Sequence, residues 1–206
     1  MTITKVMLLV HESLAKLKKM NIDYLSLENE LVSKILSMPN DLLSDMSNSQ
    51  IIGLVFTMIG DIEIFLPSVI PEEHGNRLFS FDMEVDDIDN MYAIFINRLN
   101  KLTKGTIVLS DVLEKRTILT NETIYRSVHF TYAGREYEFI SKSNNDWFDI
   151  DLLLFINQIL KKNSSEKSFY ATGDHGQSLI IFYSTDEWAE EFNREFYPTF
   201  NLVNTW

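Results

Sequence analysis

The chain has 206 residues, 45% of them hydrophobic and 23% charged, with 30 acidic against 18 basic side chains and a formal net charge of −12. That length suits one domain of good size with a core that needs no staples. The charge excludes a generic binder of nucleic-acid backbone and argues against docking on anionic membranes, and the lack of cysteine excludes disulfides, thiolate catalysis and cysteine-ligated metals.

The first segment reads as a helix, because Val6, Leu9, Val10, Leu14 and Leu17 recur at helical spacing and Asn21 offers a stop. Its apolar run from Val6 to Val10 is too short for a secretory h-region of about 7–15 residues. No uncharged apolar stretch reaches the roughly 18 residues of a membrane span. A soluble, cytoplasmic protein is the expectation. A second helix is predicted from about Ser26 to Leu36, ended by Met38-Pro39-Asn40, and residues 40–50 read as polar turns.

Residues 51–66 are rich in branched and aromatic side chains. With Gly60-Asp61 between two apolar runs they predict a β-hairpin. A strand is expected near Leu78–Phe81. From Asp86 the stripe of Ile88, Met91, Tyr92, Phe95, Leu99 and Leu102 predicts a helix closed by Gly105, then a strand over Thr106–Leu109. Alternation of Val128, Phe130 and Tyr132, then Tyr137 and Phe139, predicts a second hairpin turning at Ala133-Gly134-Arg135. A helix with Leu152, Phe155, Ile156, Ile159 and Leu160 on one face follows, ending at Asn163-Ser164-Ser165. Phe169–Ala171 and Ser178–Tyr183 read as strands joined by a turn containing Gly173, Asp174, His175 and Gly176. The last helix runs from about Thr185 to Phe196, opened by a Ser184/Glu187 capping box and stopped by Pro198.

These elements make an α+β protein: an antiparallel sheet with helices packed on it and a helical segment at the start. A single domain, 1–206, is expected, with sub-units over 1–50, 51–110 and 118–206. The last two follow one plan of hairpin, helix and strand. Phe56-Thr57, Gly60 and Phe65 are spaced like Phe130-Thr131, Gly134 and Phe139, and Phe95-Ile96-Asn97 matches Phe155-Ile156-Asn157. A duplication would produce this, and so would ordinary helix and turn chemistry.

The seven glycines form no G-x-x-x-x-G-K-[ST] or G-x-G-x-x-G loop. The histidines His11, His74, His129 and His175 show no metal-ligand spacing, and no D-x-[DN]-x-[DN]-G calcium loop occurs. No metal or cofactor is expected. The most enzyme-like spot is Asp174-His175, where a carboxylate could orient an imidazole base. Glycine and aspartate are also what a tight turn wants. The stronger feature is acidity. Asp82, Glu84, Asp86, Asp87 and Asp89 form one cluster; Asp146, Asp149 and Asp151 flank Trp147 in a second. The last helix carries Asp186, Glu187, Glu190, Glu191 and Glu195 beside Trp188. Acids at helix starts satisfy the helix dipole in any protein. Packed this densely they would also steer and hold a basic partner, with Trp147 and Trp188 as aromatic anchors.

The stretch 128–206 carries Phe130-Thr-Tyr-Ala-Gly-Arg-Glu-Tyr137, Asp146-Trp-Phe-Asp149, Phe169-Tyr-Ala-Thr-Gly-Asp-His-Gly-Gln177 and Ser178-Leu-Ile-Ile-Phe-Tyr-Ser-Thr-Asp-Glu-Trp188. In these it resembles bacterial immunity proteins of polymorphic toxin systems. The resemblance implies a small, acidic, cytoplasmic, non-enzymatic protein that binds a cognate toxin domain, often a nuclease, and blocks it. Residues 1–127 carry no such likeness. The sequence therefore points first to a non-enzymatic acidic binding protein of immunity type. Two alternatives stand beside it: a small hydrolytic or metal-assisted enzyme around Asp174 and His175, and a structural or oligomeric module.

Overall fold

The computed structural model describes residues 2–22, 28–60, 78–85, 88–118, 124–141, 147–173 and 176–204. Four helices come first: α1 (Ile3–Lys19), α2 (Glu28–Ser37), α3 (Asn40–Asp45) and α4 (Asn48–Gly60). Strand β1 (Leu78–Asp82), helix α5 (Met91–Leu102) and strands β2 (Ser110–Ile118), β3 (Ile124–Tyr132) and β4 (Arg135–Ile140) follow. Helix α6 (Asp151–Lys162), strands β5 (Ser168–Gly173) and β6 (Ser178–Ser184) and helix α7 (Asp186–Phe196) complete the described elements. The class is α+β with antiparallel sheets and a helical start, as the patterning predicts.

Helix ends follow local chemistry. The Thr2 hydroxyl accepts from the Lys5 amide at the start of α1, and Lys16, Lys18 and Lys19 complement the dipole at its end. Asn21 then takes the left-handed conformation (φ 59°), so that the Ile22 amide reaches the Leu17 carbonyl and the Asn21 amide the Lys18 carbonyl. This is a Schellman stop with asparagine where glycine is usual. Ser164 ends α6 the same way, with Ser165 donating to Leu160 and Ser164 to Lys161.

The described strands form two sheets, β1-β6-β5 and β2-β3-β4, all pairs antiparallel. The first sheet is central because both its faces are buried. Phe79, Phe81, Phe169, Ala171, Leu179 and Ile181 point into one core, built with α5, α6 and the inner face of the second sheet. Leu78, Tyr170, Ile180 and Phe182 point into the other, built with α1, α2, α3, α4 and α7. Strands buried on both faces read as near-continuous apolar runs, which is how Leu179-Ile180-Ile181-Phe182 looks in the sequence. The second sheet is covered on one face only: Val128 and Phe130 are buried beneath it, while Leu113, Tyr125 and Ile140 are exposed on the other side.

Residues 51–60 are helical, which corrects the expected first hairpin; its second half, 61–66, lies outside the described residues. The cause is a capping box just upstream. The Ser47 amide donates to the Gln50 side chain and the Gln50 amide donates to the Ser47 hydroxyl. The helix is apolar nearly all round because it lies between α1 and the central sheet. At Gly60 it crosses β1 so closely that a methyl would lie 2.7 Å from the Ser80 amide nitrogen. With α4 in place of a hairpin, the two halves do not share one plan.

Smaller differences have equally local causes. Residues 40–45 form α3 instead of a turn. No strand forms over Thr106–Leu109, where the Asn100 carboxamide holds the Leu109 backbone, donating to its carbonyl and accepting from its N–H, each at 2.8 Å; β2 follows at Ser110–Ile118, where no strand is expected from the sequence. Two more asparagines grip a returning chain in this way. Asn157 on α6 holds the Phe169 backbone, at 2.7 and 2.8 Å, and Asn193 on α7 holds that of Leu202, at 3.1 and 2.6 Å. The Leu202 grip lets Val203 bridge Ala171 and cover part of the outer edge of β5.

Candidate functional site

Two of the three acidic clusters meet at one end of the central sheet. Asp82 ends β1 opposite Ser178, the first residue of β6, and Gly173 ends β5 opposite Leu179. Beyond this edge Glu84 forms a bridge with Trp147, and the Met83 carbonyl accepts from the Phe148 amide at 2.8 Å. The Met83 amide donates to the Gln177 carbonyl, and the Gln177 side chain donates to the Glu84 carboxylate. Segments 82–85, 147–151 and 176–178 are thereby joined through backbone bonds and one side-chain bond. Buried Phe148 anchors the middle segment, packing against Phe81, Tyr92 and Phe95.

The side chains at this end face water. Asp82 and Glu84 are exposed, as is Asp89, and Trp147 leaves 39% of its surface open. The Asp82 carboxylate accepts from the Glu84 amide at 2.9 Å. Among the described residues no basic side chain forms an ion pair with Asp82, Glu84 or Asp89. Asp149 and Asp151 are half-buried, and the Asp149 carboxylate accepts from the Asp151 amide at the start of α6 at 3.0 Å. The Asp149 amide donates to the Tyr92 hydroxyl, and burial pushes that phenol above its ordinary value. Asp86, Asp87, Asp146, Asp174 and His175 lie outside the described residues.

The helix-start explanation accounts for some of these acids and not others. Asp151 lies in the first turn of α6, and Asp186 and Glu187 in that of α7, where acids complement the dipole. The first turn of α5 holds no acid, and its cap residue, Asn90, makes no side-chain capping bond. That helix start is served instead by Glu114 on β2, whose carboxylate accepts from the Ala93 amide at 3.0 Å and from Arg126 at 2.5 Å. Both side chains of this pair are 5% or less exposed. Asp82, Glu84 and Asp89 are therefore not consumed by capping α5.

The third acidic cluster lies apart, on α7 against the other core. The capping residue there is Thr185, one later than the expected Ser184, and its hydroxyl accepts from the Trp188 amide. Trp188 is half-buried: it packs on Phe182 and Phe192, and its indole N–H donates to the Met20 carbonyl at 3.1 Å. Glu195 pairs with Lys19, whose ammonium holds the exposed carboxyl below its usual range, and the Tyr170 hydroxyl donates to Asp186. Of the two expected aromatic anchors, only Trp147 lies with the converged acids.

No group of three histidine, aspartate or glutamate side chains among the described residues is placed to hold a metal ion. No helix of the described chain is long and apolar enough to cross a membrane. Sequence reasoning missed Gln177, which ties the turn before β6 to Glu84; only its place at the strand start marked it. In comparison with known proteins, no family model, no curated protein and no solved structure matches the chain.

Proposed function

We propose that this chain is a non-enzymatic binding protein of immunity type, which inhibits a basic toxin domain such as a nuclease by covering it. The supporting observation is the exposed end of the central sheet, where Asp82, Glu84 and Trp147 stand together on a backbone-bonded frame. A nuclease holds phosphate with lysine and arginine. Carboxylates at fixed positions would pair with those cations and exclude the nucleic acid. The net charge of −12 would speed the encounter, most strongly at low salt. Trp147 would supply the desolvated centre that such interfaces rely on. The frame matters because rigid carboxylates lose little entropy on binding. In this reading the protein works in the bacterial cytoplasm beside the toxin it neutralises.

The test is affinity capture from the native host with the chain as bait, eluted with rising salt, followed by an activity assay of what is recovered. A basic protein whose activity falls to zero at one equivalent of the chain, and is restored by Trp147→Ala, is the expected outcome. Recovery of no basic protein, or capture indifferent to both salt and Trp147→Ala, would sink the reading.

A further inference from the structure

Among the described residues the second sheet ends in an unpaired edge along β4: the strand pairs only with β3, and its far side meets no strand. The two-residue turn at Ala133 and Gly134 has φ of 50° and 74°, which fits the twist of a tight hairpin and sets the hydrogen-bonding parity. Tyr132 and Arg135 close the turn as a bonded pair, so the odd-numbered residues of β4 bond to β3. The Ser141 amide, donating to the Arg126 carbonyl at 2.9 Å, keeps the same parity at the other end. The backbone groups of Glu136, Glu138 and Ile140 therefore point to the open edge.

The side chains of these three residues lie on the solvent face of the sheet. Glu136 and Glu138 are exposed and Ile140 is 59% exposed. Beside them an open groove of about 420 Å³ is lined by Thr117, Tyr125, Ser127, Glu138 and Ile140. Two registers of self-pairing along this edge are disfavoured. In an antiparallel self-pairing centred on Glu138 that carboxylate faces its own copy, and centred on Tyr137 each Glu136 faces a Glu138; like charges directly opposite are destabilising.

We infer that the β4 edge accepts an extended segment of a partner protein that carries lysine or arginine at alternate positions. The segment would add antiparallel to β4 as a fourth strand, with cations opposite Glu136 and Glu138 and an apolar residue opposite Ile140. Strand addition takes its affinity from main-chain bonds and its specificity from alternate side chains. Here both come from the same three residues, because the outward backbone groups and the solvent-facing side chains coincide. The aliphatic stem of the lysine or arginine facing Glu138 would lie along exposed Ile140 while its charge meets the carboxylate, which His129 Nε2 approaches from β3 at 3.3 Å. The inference does not rest on the proposed role of the Asp82–Trp147 surface.

The experiment titrates the full chain with three labelled synthetic peptides. The first contains Val-Thr-Lys-Thr-Lys, the second the same residues as Lys-Lys-Thr-Thr-Val, and the third is the first with both lysine amides N-methylated. The first should bind at least about tenfold tighter than either control, the loss that about 1.4 kcal/mol of binding free energy produces. It should also slow hydrogen exchange at the amides of Glu136, Glu138 and Ile140. E136K/E138K should lose that preference, and the milder E136Q/E138Q should weaken it with the fold intact by amide dispersion. Equal binding of the three peptides, full affinity in E136K/E138K, no binding at millimolar peptide, or protection only around Trp147 would each overturn the inference.

Discussion

The sheet end around Trp147 and the helix α7 around Trp188 look alike as sequence: a tryptophan among carboxylates at a helix start. In the fold they differ. Trp188 lies against Phe182 and Phe192 with its N–H on the Met20 carbonyl, and two of the acids on its helix, Asp186 and Glu195, are engaged with Tyr170 and Lys19. Trp147 is exposed, and the acids across from it, Asp82 and Glu84, are held by backbone and by Gln177. Acids and a tryptophan close in sequence therefore do not define a surface. What separates the two is which aromatic the core takes: Phe148 turns inward and Trp147 outward, whereas α7 turns Trp188 toward Phe192.

The largest effect that would sharpen this contrast is on stability. Trp188→Ala should lower the unfolding free energy by about 3 kcal/mol, the cost of truncating a large packed aromatic, measured by denaturant titration. Trp147→Ala should stay within about 0.5 kcal/mol, as surface substitutions do. Equal losses at the two positions would break the contrast.

Next in size is the polar anchor of α7. Tyr170→Phe removes the bond to Asp186 and should cost about 1 kcal/mol. Burial, then that bond, raises the Tyr170 phenol above its ordinary value of 10.0, and burial raises Tyr92 in the same direction. In the unfolded chain these phenols ionise first as pH climbs. Their contribution is thus complete below pH 10.0 and is lost as pH rises through the folded values. Thermal melts from neutral to strongly alkaline pH should show this loss, and Tyr170→Phe should flatten it.

A third prediction concerns local field and not stability. Caesium should quench Trp147 more strongly than iodide, because the converged carboxylates gather cations, and added salt should level the two. The difference between native and Trp147→Phe emission isolates this residue. Iodide quenching as strong as caesium would remove the acidic surface. The smallest effect belongs to Glu195→Gln. Its pair with Lys19 is exposed, so the melting midpoint at neutral pH should hardly move, and the little it contributes should vanish as pH falls through the lowered Glu195 value.

Periodicity made α1, α5 and α6 and the β3–β4 hairpin legible, because each has one buried face and a polar one, while α7 was legible from its capping signal and Pro198. It failed at 51–60, where α4 is buried on nearly every side and its apolar run has no period to read. The deciding signal was Ser47-x-x-Gln50, two polar residues set just before the run. The Asn97/Asn157 match also misled, since the asparagine on α5 that does the work of Asn157 is Asn100, one turn later. The acids of the candidate surface were visible as residues. Their convergence was not, because it depends on β1 pairing with β6 and on the bridge between Glu84 and Trp147, contacts between chain segments far apart.

The most direct measurement is the hydrogen-exchange footprint of the chain bound to the basic protein recovered by capture, compared with the free chain. The account predicts protection of residues 82–85 and 147–151, with α7 unchanged. Protection centred on α7, with 82–85 and 147–151 exchanging as in the free chain, would contradict it.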